Sequence, residues 1–238
     1  MTAPPMLEVK ELHAFYGRAH ILHGISLEVR AGEVVALLGR NGAGKSTAMK
    51  AIMGLVPPAR GEVSFAGQRI ERLAPYRIAR LGLGYVPEER RIFTELSVME
   101  NLEVGRQAAR AGVPAWTEDK LFALFPNLAR MRERPGGRMS GGEQQMLTIA
   151  RTLMGNPSCV LLDEPSEGLA PIIIDEMANS IRALKGEGVS VILCEQNLHF
   201  ALGVADRAYI IEKGQIRFGG SMAELAANES LREQYLSV

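Results

Sequence analysis

The sequence predicts an α/β fold: a core with a mostly parallel sheet, an antiparallel β-subdomain at the N-terminus, and a helical insertion. Three observations carry this. Val34–Gly39 (VVALLG), Cys159–Asp163 (CVLLD) and Val189–Cys194 (VSVILC) are near-continuous apolar runs, the pattern of parallel strands buried on both faces. Leu7–Leu12 (LEVKEL) and Ile25–Arg30 (ISLEVR) instead alternate apolar and polar residues, which suits antiparallel strands with one wet face. From about Arg90 to Gly155 there are helix signals and no clear buried strand. On this reading residues 1–238 form one domain. Residues 1–89 and 156–238 build the α/β core with its β-subdomain, and 90–155 form the helical subdomain.

Each helix has its own local warrant. One runs from Lys45 to about Met53, directly after the first buried strand. Ser97 with Glu100 forms a capping box, in which hydroxyl and carboxylate satisfy each other's backbone N–H groups, and opens a helix towards Gly112. Ser140 with Glu143 opens another, with Met146, Leu147, Ile149, Ala150 and Leu153 as its apolar face. Pro171 is suited to a first helical position, and that helix ends near Gly186–Gly188. Glu212–Gln215 (EKGQ) reads as a hairpin turn, and Ser221 with Glu224 caps a helical tail.

Composition narrows the class. Lys plus Arg equals Asp plus Glu at 27 each, so no net field draws the chain to nucleic acid or acidic lipid. No apolar run approaches the ~18–20 residues of a membrane span. The N-terminal MTAPPMLEVK lacks the basic-then-apolar pattern of a secretory signal, so a cytosolic chain is expected. Cys159 and Cys194 lie in apolar runs and read as buried thiols rather than a disulfide or metal pair.

Two motifs carry chemistry. GRNGAGKST (Gly39, Arg40, Asn41, Gly42, Ala43, Gly44, Lys45, Ser46, Thr47) fits G-x-x-x-x-G-K-[ST] between a buried strand and a helix, the context of a P-loop. Its glycines let backbone N–H groups turn inward around phosphates at a positively polarised helix end. Lys45 would reach the β- and γ-phosphates and Ser46 would offer its hydroxyl to Mg²⁺. A second buried strand delivers Asp163 to the sheet edge as a Mg²⁺ ligand. Glu164, one residue on, is placed to accept a proton from an attacking water. A third feature is less obvious. RMSGGEQQM (Arg138–Met146) puts two glycines in the first turn of a helix, where glycine is a poor helix former but leaves bare N–H groups for an anion.

Gly39–Thr47, Ser140–Gln145 and Cys159–Glu164 resemble the ABC-type ATPases in order and approximate spacing, over nearly the whole chain. The resemblance implies ATP and Mg²⁺ as cofactors. It also implies that Ser140, Gly141 and Gly142 face the γ-phosphate of ATP held by a partner's Lys45, so each site is assembled from two chains. Tyr16, in FYGRAHIL, matches the aromatic that stacks on adenine. Glu88, in GYVPEER, takes the place of a glutamine that contacts Mg²⁺ and the membrane subunit. Gln196, in CEQN, stands where most relatives have a histidine touching the γ-phosphate, and Ala170 replaces an aspartate.

Val86–Phe93 (VPEERRIF), Met139–Leu147 (MSGGEQQML), Asp163–Ile174 (DEPSEGLAPIII) and Glu195–Asn197 (EQN) resemble the ATP-binding subunit of branched-chain amino acid importers. That implies a second ABC ATPase subunit, identical or sibling, and integral membrane permease subunits as partners. A solute-binding protein would be an indirect partner, and no nucleic acid is expected. The site would lie on the cytoplasmic face of the inner membrane. Importers of urea, amides or aromatic acids look alike. A soluble ABC ATPase acting on nucleic acid or ribosomes is a rival reading, against which stand the single domain and modest insertion. A regulatory module without turnover is opposed by the Asp163–Glu164 pair, and a GTPase by the lack of an Asn-Lys-x-Asp signature.

Overall fold

The computed structural model describes residues 4–110, 112 and 115–236. In chain order the elements are β1 (Leu7–Tyr16), β2 (Ala19–Val29), β3 (Val34–Leu38), α1 (Lys45–Ile52), β4 (Arg60–Phe65), β5 (Gln68–Arg69), α2 (Pro75–Leu81) and β6 (Leu83–Val86). Then follow α3 (Val98–Gly105), α4 (Glu118–Leu124), α5 (Pro126–Ala129), α6 (Gly141–Leu153), β7 (Cys159–Asp163) and α7 (Pro171–Gly186). The chain closes with β8 (Ser190–Glu195), α8 (Leu198–Val204), β9 (Arg207–Glu212), β10 (Gln215–Ser221), α9 (Met222–Ala227) and α10 (Glu229–Tyr235).

Two sheets form. One is antiparallel, in the order β2-β1-β4-β5; the other runs β10-β9-β3-β8-β7-β6. In the second, β6, β7, β8, β3 and β9 are parallel, and only β10 runs against its neighbour. The continuous apolar runs have the expected cause. Leu37, Leu161 and Ile192 face a core shared with α1 and the antiparallel sheet. Val34, Val160, Leu162, Val191 and Leu193 face a second core built with α6 and α7.

The antiparallel strands alternate as their pattern predicts, with one interruption. Leu7, Val9, Leu12 and Ala14 are buried, and the register shifts between Val9 and Leu12. Glu11 there has φ of +47°, so a bulge turns both Lys10 and Glu11 outward. The partner strand meets the bulge with Gly61, where a Cβ would lie 2.3 Å from the Glu11 carbonyl oxygen.

All three capping boxes form, at Ser97–Glu100, Ser140–Glu143 and Ser221–Glu224. The five apolar residues expected on the third predicted helix, α6, are all buried. The helix predicted from Ser97 towards Gly112 is corrected: it stops at Gly105. There α3 presses on α6 so closely that a Cβ would come within 2.1 Å of the Arg151 carbonyl oxygen. Arg106 turns extended (ψ 128°), and the Gln107 N–H donates to the Met154 carbonyl at 3.1 Å. Tertiary contact at the end of α6 thus outcompetes continued helix. No helix among the described residues is long and apolar enough to cross a membrane.

β7 and β8 are parallel neighbours, pairing Cys159 with Ser190 and Asp163 with Cys194. The two cysteines are therefore four residues apart along the sheet, about 13 Å, beyond disulfide reach. Both are fully buried free thiols, and burial pushes the Cys159 thiol up to about 12. We expect a thiol reagent to find no reactive group in the native protein and two after unfolding. One fast-reacting thiol in the native state would contradict this packing.

Candidate functional site

The site is assembled where three adjacent parallel strands end. Leu38 at the end of β3 pairs with Glu195 at the end of β8, and Cys194 pairs with Asp163 at the end of β7. Two backbone bonds continue the alignment past the strands: Gly39 N–H to the Glu195 carbonyl (3.4 Å) and Glu164 N–H to the Cys194 carbonyl (3.0 Å). The carboxyl ends of parallel strands are where open α/β sheets bind ligands. Gly39 begins the turn and has no room for a side chain, since a Cβ would sit 2.4 Å from the Ile211 carbonyl oxygen. Gly44 caps α1 at φ of +110°, a conformation open to glycine.

Residues 39–47 fold as a loop running into α1. Ala43 accepts a backbone bond from Gly214 N–H, whose carbonyl accepts from His23 N–H, both at 2.8 Å. The turn between β9 and β10 thereby stitches the loop to β2. Tyr16, at the far end of β1, is 49 % exposed, free to meet a flat ring from solvent. Arg40 and Asn41 are exposed, and Thr47 is half-buried in α1.

Lys45 is 3 % exposed and Glu164 7 %. Their Nζ and Oε1 atoms lie 2.9 Å apart. The remaining ammonium donors go to the carbonyls of Gly39 (2.9 Å) and Arg40 (3.2 Å). Glu164 occupies the left-handed region at φ of +47°, a strain that clusters at functional sites. Its other oxygen accepts from the Gln196 amide at 2.9 Å, and the same amide nitrogen donates to Asn41 Oδ1 at 2.7 Å. Burial alone would raise the Glu164 carboxyl. The hydrogen bonds and charge of Lys45, with the Gln196 amide, hold it below the usual range.

Asp163 is buried. Its Oδ1 accepts from the Ser46 hydroxyl at 2.9 Å and its Oδ2 from the Tyr85 hydroxyl at 3.1 Å. Burial raises its pKa against the pull of both donors. One carboxylate and one hydroxyl within 3 Å form a hard oxygen pair that fits Mg²⁺, which takes few protein ligands and completes its shell with water and phosphate. Glu88 is exposed and makes no hydrogen bond to this pair among the described residues.

Ser140, Gly141 and Gly142 are not brought to the loop of their own chain by any recorded hydrogen bond. They start α6 in the helical part, with the Ser140 hydroxyl accepting from Glu143 N–H at 3.4 Å and Glu143 Oε2 accepting from Ser140 N–H at 2.7 Å. Ala170 caps α7 with no side-chain bond.

Three residues of the site were not singled out in advance. Glu195 is a buried carboxylate that accepts from the backbone N–H groups of Ser166 (3.1 Å), Gln196 (3.2 Å) and Asn197 (3.4 Å), tying the turn after Glu164 to the turn holding Gln196. Tyr85 orients Asp163, and Glu167 is raised by its hydrogen bond to Glu164. A carboxylate beside a candidate γ-phosphate residue was the available signal for Glu195; Tyr85 and Glu167 had none.

A loop that wraps phosphate, a lysine at its helix start and an Asp-Glu pair on the neighbouring strand end define a P-loop nucleoside triphosphatase. The ABC transporter profile matches residues 22–167. The chain belongs to the ABC transporter family, as an ATP-hydrolysing subunit, and members of that family bind ATP, generally with Mg²⁺. It is 44 % identical over 231 residues to the "High-affinity branched-chain amino acid transport ATP-binding protein BraG" of Pseudomonas aeruginosa, covering 97 % of this chain and 99 % of that one. It is 34 % identical over 232 residues to the lipopolysaccharide export system ATP-binding protein LptB of Escherichia coli K12, covering 97 % and 96 %. Among solved structures it is similar to a nucleotide-free ATP-binding cassette from an ABC transporter, with a TM-score of 0.82, 26 % identity and coverage of 97 % and 98 %.

Because Gln196 cannot titrate near neutral pH, Gln196→His should add an inflection near pH ~6.5 to the ATPase pH–rate profile. Superimposable profiles for the two proteins would remove Gln196 from the catalytic pocket.

Proposed function

We propose that this chain is the ATPase subunit of an importer for branched-chain amino acids, working as one half of a two-site dimer on the cytoplasmic face of the inner membrane. Residues 1–238 act as a single ATPase domain, with 90–155 as its moving helical part. The observation that carries the catalytic reading is the contact of Lys45, Gln196 and Glu164 beside the Asp163–Ser46 pair. The full-length likeness to BraG supports the solute class, at 44 % identity against 34 % for LptB. Export of a lipid-linked glycan is the second reading, favoured by the LptB likeness.

Adenine stacks on Tyr16. The inward N–H groups of residues 39–47 and the Lys45 ammonium hold the β- and γ-phosphates. Ser46 and Asp163 would hold Mg²⁺, with Glu88 as a further candidate, and the ion would supply charge neutralisation at the phosphates. Lys45 is saturated by protein acceptors, so an entering phosphate takes the place of one of them, and the anionic Glu164 carboxylate is the one it repels. Released, Glu164 turns to a water molecule and accepts its proton as the water oxygen bonds to the γ-phosphorus and the bridging P–O bond breaks. Gln196 supplies a neutral amide hydrogen bond to the γ-phosphate. Ser140, Gly141 and Gly142 of the second subunit close over the same phosphate, so most catalysis is positioning and electrostatics.

Permease contact fits a cleft of about 540 Å³ between the core and the helical part. Tyr76, Phe93 and Val104 on its walls are 56 %, 46 % and 52 % exposed, an apolar exposure that marks interaction surfaces.

Glu164→Gln keeps an acceptor for Lys45 but cannot take a proton. It should bind ATP normally and lose about a hundredfold or more in turnover. Undiminished hydrolysis would refute the base assignment. For the solute, the chain reconstituted with its permeases in vesicles should drive uptake of leucine, isoleucine or valine on ATP addition. Uptake of none of them, with ATP still consumed, would refute the branched-chain solute assignment.

A further inference from the structure

The loop after β6 holds Arg90 and Arg91 in consecutive left-handed conformations, with φ of +63° and +48°. Non-glycine residues seldom adopt this region singly, and two together persist only where the surroundings enforce them. Helix α6 enforces them here. The Thr148 hydroxyl donates to the Arg90 carbonyl at 2.7 Å, and the Arg151 guanidinium donates to the Arg91 carbonyl at 2.6 Å.

The side chain of Arg90 runs back along that helix to its first turn. A Cβ built on Gly141 would lie 2.6 Å from Arg90 Nη1 and 3.2 Å from Cζ, so the guanidinium lies directly on the Gly141 backbone. From Thr148 to Gly141 is seven residues, about 10 Å of helix rise. Among the described residues no hydrogen bond or ion pair of this guanidinium is recorded. The carboxylate in the same turn, Glu143, is engaged by the Ser140 N–H.

Physically this is an odd place for a cation. The N-terminus of a helix carries partial positive charge, and carboxylates rather than guanidinium groups stabilise it. The N–H groups of Gly141 and Gly142 have no acceptor within the helix. A strained backbone directs an extra positive charge onto an already positive helix end. The arrangement becomes favourable once a multiply charged oxyanion enters.

We propose that Arg90 is a phosphate-contacting residue acting in trans: its guanidinium, with Ser140, Gly141 and Gly142, clamps the γ-phosphate of the ATP held by the second subunit's P-loop. The proposal rests on the two-site dimer put forward above. It gives Gly141 a specific reason, because any side chain there would displace the guanidinium.

The test uses ATP-driven dimerisation of the full chain in the Glu164→Gln background, followed by sedimentation. Arg90→Gln should raise the dimer dissociation constant about tenfold or more, the scale of a lost hydrogen bond to a charged group. Arg90→Lys, which keeps charge but not the fork, should recover part of it. ATP affinity of the isolated subunit and its nucleotide-free melting temperature should not change, because Arg90 serves the other chain's nucleotide. Equal dimerisation of Arg90→Gln and the parent, or of Arg90→Gln and Arg90→Lys, overturns the proposal. A parent that stays monomeric with ATP overturns the dimer reading itself, which is a separate result.

Discussion

The buried ion pair between Lys45 and Glu164 depends on the register of three strands, and much of the molecule can be understood as keeping that register. Lys45 starts α1, and Glu164 follows β7. They meet only because β8 lies between β3 and β7 and aligns both ends. A one-residue slip of any strand would turn its side chains to the opposite face. It would also separate an ammonium from the carboxylate it pairs with in a dry pocket, a loss of about 3–5 kcal/mol for such pairs. Cores on both faces of the sheet lock the register, and Glu195 repeats the lock with three backbone donors. Charge and packing therefore specify one arrangement together.

The same pair explains how binding can do mechanical work. A lysine saturated by protein groups accepts a phosphate only by exchange, and Glu164 is the anionic member of its acceptor set, the one a phosphate repels. Two residues after Glu164 comes Ser166, whose N–H is held by Glu195, and then the turn into α7. Ile173 of α7 packs on Gly142 at the start of α6. Contact is thus continuous from the Glu164 carboxylate to the first turn of α6 within one chain. Contiguity of this kind is a physical route for coupling, and it joins the chain's own phosphate site to the surface it offers its partner.

Much of this was legible in the residues. The P-loop, the Asp163–Glu164 strand end and three capping boxes are local patterns with one physical solution each, and each formed as its pattern requires. What escaped depends on contacts distant in sequence. β6 carries Gly84, which weakens a strand signal; it is glycine because Thr152 of α6 would come within 2.7 Å of a Cβ. Tyr85 on that strand meets Asp163 across 78 residues of sequence. The early end of α3 falls at Gly105, a weak helix former that the pattern reading runs past, and its place is fixed by the Arg151 carbonyl lying against it. The bulge at Glu11 answers to Gly61 on another strand. Local periodicity reports what a segment prefers; crossing elements decide where it stops.

Charge balance within the pocket argues for an outside contribution. Lys45 offsets Glu164, and Asp163 is left with neutral donors from Ser46 and Tyr85. The surrounding Glu88, Glu167 and Glu195 are acidic as well, and the Glu167 carboxyl is raised by its hydrogen bond to Glu164, then by burial and by the charges of Glu164, Glu88 and Glu195. Into this the chain would admit an anion. Gln196 adds hydrogen bonding without charge where an imidazole would have offered a proton. Lys45 is the one ammonium paired with a carboxylate in this pocket among the described residues. Elsewhere on the chain α6 presents a positive helix end with a guanidinium laid against it. The two surfaces are complementary in sign but stand on different parts of the chain, with no recorded hydrogen bond between them. Two copies related by a twofold axis can satisfy both at once, each contributing the cationic face to the other's nucleotide, whereas one copy alone can satisfy neither.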